Sequence, residues 1–160
     1  MPSKLYTIDE LDRRLLRAMA AEPRATVMEL TRKLGVARAT TQSRLDKLVA
    51  RGVISFGPVI YPRALGYEVL AFTTIEIAQG RLDDVVDHIR DIPEVLEAHT
   101  TTGSADLHCR VVARTHEHLQ AVMARILKVK GIDRTTTIIA LTDQIPLRFF
   151  PLLNPSEQTR

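Results

Sequence analysis

The chain reads as an α+β protein of two domains, an N-terminal three-helix domain built round a helix-turn-helix and a C-terminal domain of ferredoxin-like βαββαβ order. Three observations carry that reading. Two helical patterns between Thr26 and Ile54 are joined by a turn too short for anything but close packing. From Val69 onward, β-branched runs alternate with helical stripes. The charge divides with the patterns: residues 1–64 hold twelve Lys and Arg against six Asp and Glu, and the remainder holds ten against thirteen. A basic half attracts polyanions and an acidic half does not, so the two halves are expected to meet different partners.

The element order follows from local signals. Thr7 and Glu10 stand at capping-box spacing, and Ile8, Leu11, Leu15, Leu16 and Met19 form a helical stripe ending near Pro23. Thr26 and Glu29 repeat the spacing and open the second helix, which runs to Leu34. Gly35 follows where a helix end needs a left-handed residue, and Val36 turns back toward the core. From Ala37 a third helix buries Thr41, Leu45, Leu48 and Val49, leaving Arg38, Thr40, Gln42, Ser43, Arg44, Lys47 and Arg51 outward. That outward face carries few acids. It has hydroxyl and amide groups near its N-terminus and longer cations further along, the chemistry that reads base edges and holds phosphates.

After Ile54 the pattern breaks. Gly57, Pro58, Pro62 and Gly66 punctuate an extended connector with room for one brief strand at Val59–Tyr61. The domains are therefore placed at 1–55, a connector at 56–68, 69–147, and a C-terminal tail at 148–160. Within the second domain, strands are predicted over Val69–Ile77, Val95–Thr101, Leu107–Ala113 and Arg134–Leu141. Helices are predicted over Arg81–Asp91, with Leu82, Val85, Val86 and Ile89 inward, and over Thr115–Leu127. Two βαβ halves of this length place both helices on one sheet face. The strands are apolar on both alternations, so the other face is expected to be covered by a second copy. Phe149, Phe150, Leu152 and Leu153 make the tail apolar enough to dock, whereas residues 154–160 and the first six residues are expected to be poorly ordered.

Composition excludes several classes. At 160 residues, 45% hydrophobic and 4% aromatic without Trp, the chain is a globular protein not built round an aromatic platform. A single cysteine, Cys109, excludes an internal disulfide framework, and no apolar run suits a membrane span or a signal peptide. A cytoplasmic protein is expected. His99, His108 and Cys109 do not make a metal site, because residues 108 and 109 point to opposite faces of a strand and no CxxC or HxxxH spacing accompanies them. His116 and His118 near a helix start read as exposed, and Met19, Met28 and Met123 as core filler. No nucleophile elbow, phosphate loop or acid/base pair is present, and Asp83, Asp84 and Asp87 read as a solvated helix face. The chain is therefore not read as an enzyme, and no cofactor is expected.

The segments IDELDRRLL from Ile8, ELTRKLGVARATTQSRLDKLVARGVI from Glu29, ALGY from Ala64, IPEV from Ile92 and TTGSADL from Thr101 stand in an order and spacing that resembles the Lrp/AsnC, or feast/famine, transcriptional regulators of bacteria and archaea. The resemblance runs from Ile8 to about Leu147. It implies a winged-type helix-turn-helix and a C-terminal effector-binding domain, the RAM domain, that dimerises sheet to sheet and assembles to tetramers or octamers. It implies further that an amino acid binds between dimers at the loop Thr101, Thr102, Gly103, Ser104, Ala105 and Asp106. A glycine lets backbone N–H groups approach a carboxylate, and an acid can pair with an α-ammonium. Two features depart from the pattern. Ala37 stands where the family has a capping Ser, and Ser104 and Ala105 replace bulkier or acidic residues, which implies a roomier pocket and a bulkier or aromatic effector.

On the third helix, Arg38, Thr40, Gln42 and Ser43 are expected to read base edges, since a recognition helix reads with its N-terminal turns. Arg44, Lys47 and Arg51 are expected to hold phosphates, with Arg44 able to do either. The chain is thus read as a sequence-specific regulator of double-stranded DNA, with recognition helices in successive major grooves about 34 Å apart and a small effector that shifts assembly or DNA affinity. Two alternatives stand beside it: a nucleoid-type architectural protein without an effector, and a ligand sensor whose helices bind protein.

Overall fold

The computed structural model describes residues 6–153, and falls into two compact units, a helical one through Pro58 that also takes in the chain from Leu147, and a sheet unit over Val59–Pro146. The expected disorder of residues 154–160, and most of the frayed start, lies outside the described residues.

The helical unit contains α1 (Glu10–Ala21), α2 (Val27–Leu34) and α3 (Arg38–Ala50). Helix α1 is capped by Asp9, not Thr7: the Asp9 carboxylate accepts from the Asp12 N–H at 2.9 Å, and the Asp12 carboxylate accepts from the Asp9 N–H at 3.2 Å. Both pairs have capping-box spacing, but only the second also meets a cation from α3, a partner that local pattern does not show. Helix α2 opens on the Thr26/Glu29 box and closes on Gly35, whose φ of +68° is the left-handed conformation that favours glycine. The Arg14 guanidinium donates to the freed Leu34 carbonyl at 3.0 Å. Ala37 stands at the N-cap of α3 with no side-chain hydrogen bond.

Leu15, Leu16, Leu30, Leu34, Leu45 and Leu48 form the core of this unit, with Ile8, Val36 and Ile54 against it. Each buried Leu contributes roughly 1.5–3 kcal/mol. Val49 and Met28, expected inside, are 41% and 59% exposed. They flank the stripes, and three short helices enclose only the central row. The tail forms a 3-10 turn at Phe150–Leu153 and lays Leu153 on this same core, where its carbonyl accepts from Arg17 at 3.3 Å.

The sheet unit begins with a 3-10 turn at Pro62–Leu65, and the brief strand expected at Val59–Tyr61 does not form. Those three residues are exposed and pair with no neighbouring strand. The four strands are β1 (Val69–Ile77), β2 (Val95–Thr100), β3 (Leu107–Ala113) and β4 (Ile132–Ile139), in the order β2-β3-β1-β4, all antiparallel. Helices α4 (Leu82–Arg90) and α5 (His116–Ile126) supply the buried Val85, Ile89, Leu119, Val122 and Ile126, which pack on Ala71, Ile75, Leu107, Cys109 and Val111. Leu82, expected inward, sits at a helix end and is 37% exposed, and Leu127, just past the end of α5, is 52% exposed. The opposite sheet face presents Leu70, Phe72, His108, Arg110 and Ile138, with Phe72 opposite both Arg110 and Ile138. Cys109 is buried under the helices while His108 stacks on Phe72 with ring centroids 5.8 Å apart, so the two residues face opposite ways.

Candidate DNA-binding face and effector loop

Helix α3 is held by Thr41, Leu45 and Leu48, which are buried at successive turns, and by a hydrogen bond between the Thr31 and Thr41 hydroxyls at 3.0 Å. That stripe leaves Arg38, Thr40, Gln42, Ser43, Lys47 and Arg51 exposed. The first turn of α3 has no side-chain cap, so its backbone N–H groups and the positive end of the helix dipole are open to an anion. Gln42 is pre-set by its amide, which donates to Asp46 one turn on at 2.8 Å. The Lys47 ammonium lies 5.7 Å from the centre of the Tyr6 ring, a cation–π contact with the segment before α1.

Arg44 departs from the reading of the sequence. Its guanidinium does not face outward with its neighbours but turns to the start of α1, where Nη1 donates to the carboxylates of Asp9 and of Asp12, the latter at 3.1 Å. Asp12 has no exposed surface and also accepts from the Tyr6 hydroxyl at 2.9 Å. The Asp9 carboxyl is held below the usual range by the Asp12 N–H and then by Arg44. Arg44 is pushed up by Asp9 and then by Asp12. The bond to Asp12 lifts the Tyr6 phenol in turn. One sequence signal bears on this group: Asp12 falls on the apolar row with Leu15, Leu16 and Met19, and a carboxylate on a buried row requires a cation.

The loop from Thr101 to Asp106 joins β2 to β3 and is exposed save for a half-buried Ala105. Thr101 fastens its neck, the N–H donating to the Asp106 carbonyl and the hydroxyl to the Ala105 carbonyl, each at 2.9 Å. Gly103 at the tip has φ +113°, which favours glycine. The Asp106 carboxylate accepts from the Ile77 N–H at 2.7 Å, where the β1–β4 register shifts. It therefore already has one task in the fold, closing the end of β1, which the reading of this acid as a partner for an ammonium did not include.

A second cluster not foreseen from the sequence stands at the far end of β3. Arg114 lies over the Tyr67 ring at 4.7 Å and donates to the Leu65 carbonyl at 3.1 Å, pinning the end of the connector to the sheet unit. His118 is half-buried, its Nδ1 accepting from the Arg114 N–H at 3.1 Å and its Nε2 lying 3.3 Å from the Glu94 carboxylate.

A family model described as winged helix-turn-helix DNA-binding matches residues 8–55, and one described as the Lrp/AsnC ligand binding domain matches residues 70–145. The HTH-type transcriptional regulator FL11 of Pyrococcus abyssi is 30% identical over 148 residues, spanning 89% of this chain and 98% of its own. The solved structure of Escherichia coli AsnC aligns with a TM-score of 0.84 at 30% identity, over 91% of this chain and 100% of that one. A Neisseria meningitidis transcriptional regulator, NMB0573, solved as a complex with L-Met, shares the fold at a TM-score of 0.78 and 20% identity, over 88% and 94%.

Proposed function

The chain belongs to the Lrp/AsnC family of DNA-binding transcriptional regulators, whose members are not enzymes, and we propose that it recognises specific double-stranded DNA with α3 and answers to an amino acid bound by its sheet unit. The observation that carries the DNA half is the exposed face of α3. Arg38, Thr40, Gln42 and Ser43 occupy the first turns beside an uncapped helix start, and Arg51 stands at the far end. Arg38 and Thr40 suit base edges, Arg51 suits phosphate, and the open first turn suits a second phosphate.

The effector half is supported by the ligand-binding family model and by the loop 101–106, whose exposed tip offers backbone and hydroxyl groups from Thr102, Gly103 and Ser104. One exposed loop does not enclose a ligand, so the reading includes a homodimer that assembles further, to a tetramer or an octamer, with loops from more than one copy completing the site. The open face of the sheet supports that assembly, since Phe72 and Ile138 stand on it and Ile138 is 65% exposed. Among the described residues no helix is long and apolar enough to cross a membrane, and a cytoplasmic site of action accords with the reading.

The test is light scattering of the purified chain with each of the twenty amino acids, L-methionine included, beside fluorescence-detected binding to a duplex selected from a randomised pool. One amino acid that changes both mass and DNA affinity supports the reading. DNA binding that no amino acid alters, with little preference for the selected duplex, supports an architectural DNA-binding protein instead.

A further inference from the structure

Asp12 lies wholly out of solvent, and a buried carboxylate needs hydrogen bonds and a cation to offset its lost hydration. Tyr6 and the Asp9 N–H supply the bonds at 2.9 and 3.2 Å, and Arg44 supplies the cation at 3.1 Å. The same Arg44 nitrogen reaches the Asp9 carboxylate, so one guanidinium joins the middle of α3 to both acids at the start of α1. The remaining supports of α3 in the core are Leu45 and Leu48, whose contacts are non-directional, and the hydroxyl pair of Thr31 and Thr41. A leucine row holds a helix down without fixing its rotation, whereas a charge-assisted hydrogen bond has a direction.

We propose that Asp12, with Asp9 and Tyr6, is a positioning residue for DNA recognition: it holds Arg44 as a strut that sets the rotation of α3 and withholds Arg44 from the phosphates. The proposal rests on α3 being the DNA-reading helix. Arg44 cannot leave for a phosphate without stranding a buried carboxylate, while Arg38 and Arg51 form no ion pair among the described residues and lose nothing by turning to DNA.

The test uses the full chain, a duplex selected from a randomised pool and an unrelated duplex of equal length, with anisotropy followed over a KCl series. Arg44→Met and Asp12→Asn are each expected to lower the ratio of selected to unrelated affinity by about ten-fold, with the log–log salt slope unchanged in Arg44→Met and steeper by up to about one unit in Asp12→Asn, where the freed Arg44 can reach a phosphate. The double variant should lose no more than either single one. Arg51→Ala serves as the contrast: its slope falls by about one unit with the ratio kept. A merely stabilising pair would instead lower both affinities together by the unfolded fraction, leaving the ratio constant, and that result overturns the proposal. So does a slope that falls by one unit in Arg44→Met, or an Asp12→Asn variant that binds the selected duplex more tightly with the ratio kept. If a variant melts below the assay temperature, Asp9→Asn, which cuts only the exposed arm, and Arg44→Lys take its place, and an unchanged ratio in both overturns the proposal. A wild-type chain that binds neither duplex in a salt-dependent way defeats the reading of α3 itself, before any variant is measured.

Discussion

Glu94 is 8% exposed, and its charge is decided by a contest among neighbours. Burial opposes ionisation, but its own backbone N–H and the Arg125 guanidinium at 2.9 Å more than offset that, with His118 adding to them, so the carboxyl sits below the usual range. A carboxylate depressed in the folded state contributes stability above its unfolded pKa, and that stability is lost as pH falls through the folded value. Thermal melts of the sheet unit should therefore weaken from about pH 4.5 downward, and Glu94→Gln should flatten that fall while costing about 1–2 kcal/mol at neutral pH. Cys109 tests burial from the other side. Desolvation pushes its thiol to about 11, so a disulfide reagent at pH 8 should leave the native chain unlabelled and label it fully in denaturant. Labelling of the native chain within minutes would show that the helices over the sheet open readily. Ala37 offers a gain instead: Ala37→Ser should supply the missing cap of α3 and raise the stability of the helical unit by about 1 kcal/mol in urea melts.

At the scale of elements, the sequence was informative wherever one short-range signal had no competitor. The limits of β1 and β3 follow from β-branched runs bounded by turn residues, and α2 follows from a capping box at one end and Gly35 at the other. The spacing was right for α1 as well, but two boxes overlapped there, and the choice of Asp9 over Thr7 depended on Arg44, 32 residues beyond Asp12. The β1–β4 register and the closure of β1 by Asp106 are likewise decided by residues distant in sequence. A comparable long-range constraint sits at Gly131, just before β4. With φ +111° and Arg81 so near that an added Cβ would lie 2.7 Å from the arginine Cβ, this position excludes side chains twice over. Gly131→Ala is expected to destabilise the sheet unit by about 1–3 kcal/mol, read as a lower denaturant midpoint with the same slope. A tolerated alanine would mean that the turn relaxes and carries Arg81 with it.

For the whole molecule, the face of the sheet opposite α4 and α5 is the most consequential feature, because it leaves Ile138 65% exposed. Leu70, Phe72, Val112 and Ile138 share that side, Val112 itself being buried, and Phe72 lies opposite Ile138 in the β1–β4 ladder. A half-buried aromatic beside an isoleucine that is 65% exposed leaves apolar area in water, at about 25 cal/mol per Å², and a second sheet laid against it removes that area from both copies at once. Apolar residues on both alternations were readable in the sequence as two buried faces. Which partner covers the second face was not, because strand pattern records burial and not what provides it. A charge at Phe72 separates the cases. Phe72→Glu places a carboxylate where one copy would meet its counterpart, so two buried like charges would face the same interface. Sedimentation or light scattering should then show the mass falling to that of one chain, while circular dichroism keeps the helix and sheet signals, since the substitution leaves the helix-covered core intact. DNA affinity should fall with the mass, because two linked recognition helices bind through an effective concentration that a single one lacks. A variant that keeps both its mass and its DNA affinity would show that the copies meet elsewhere, and the open face would then need another occupant.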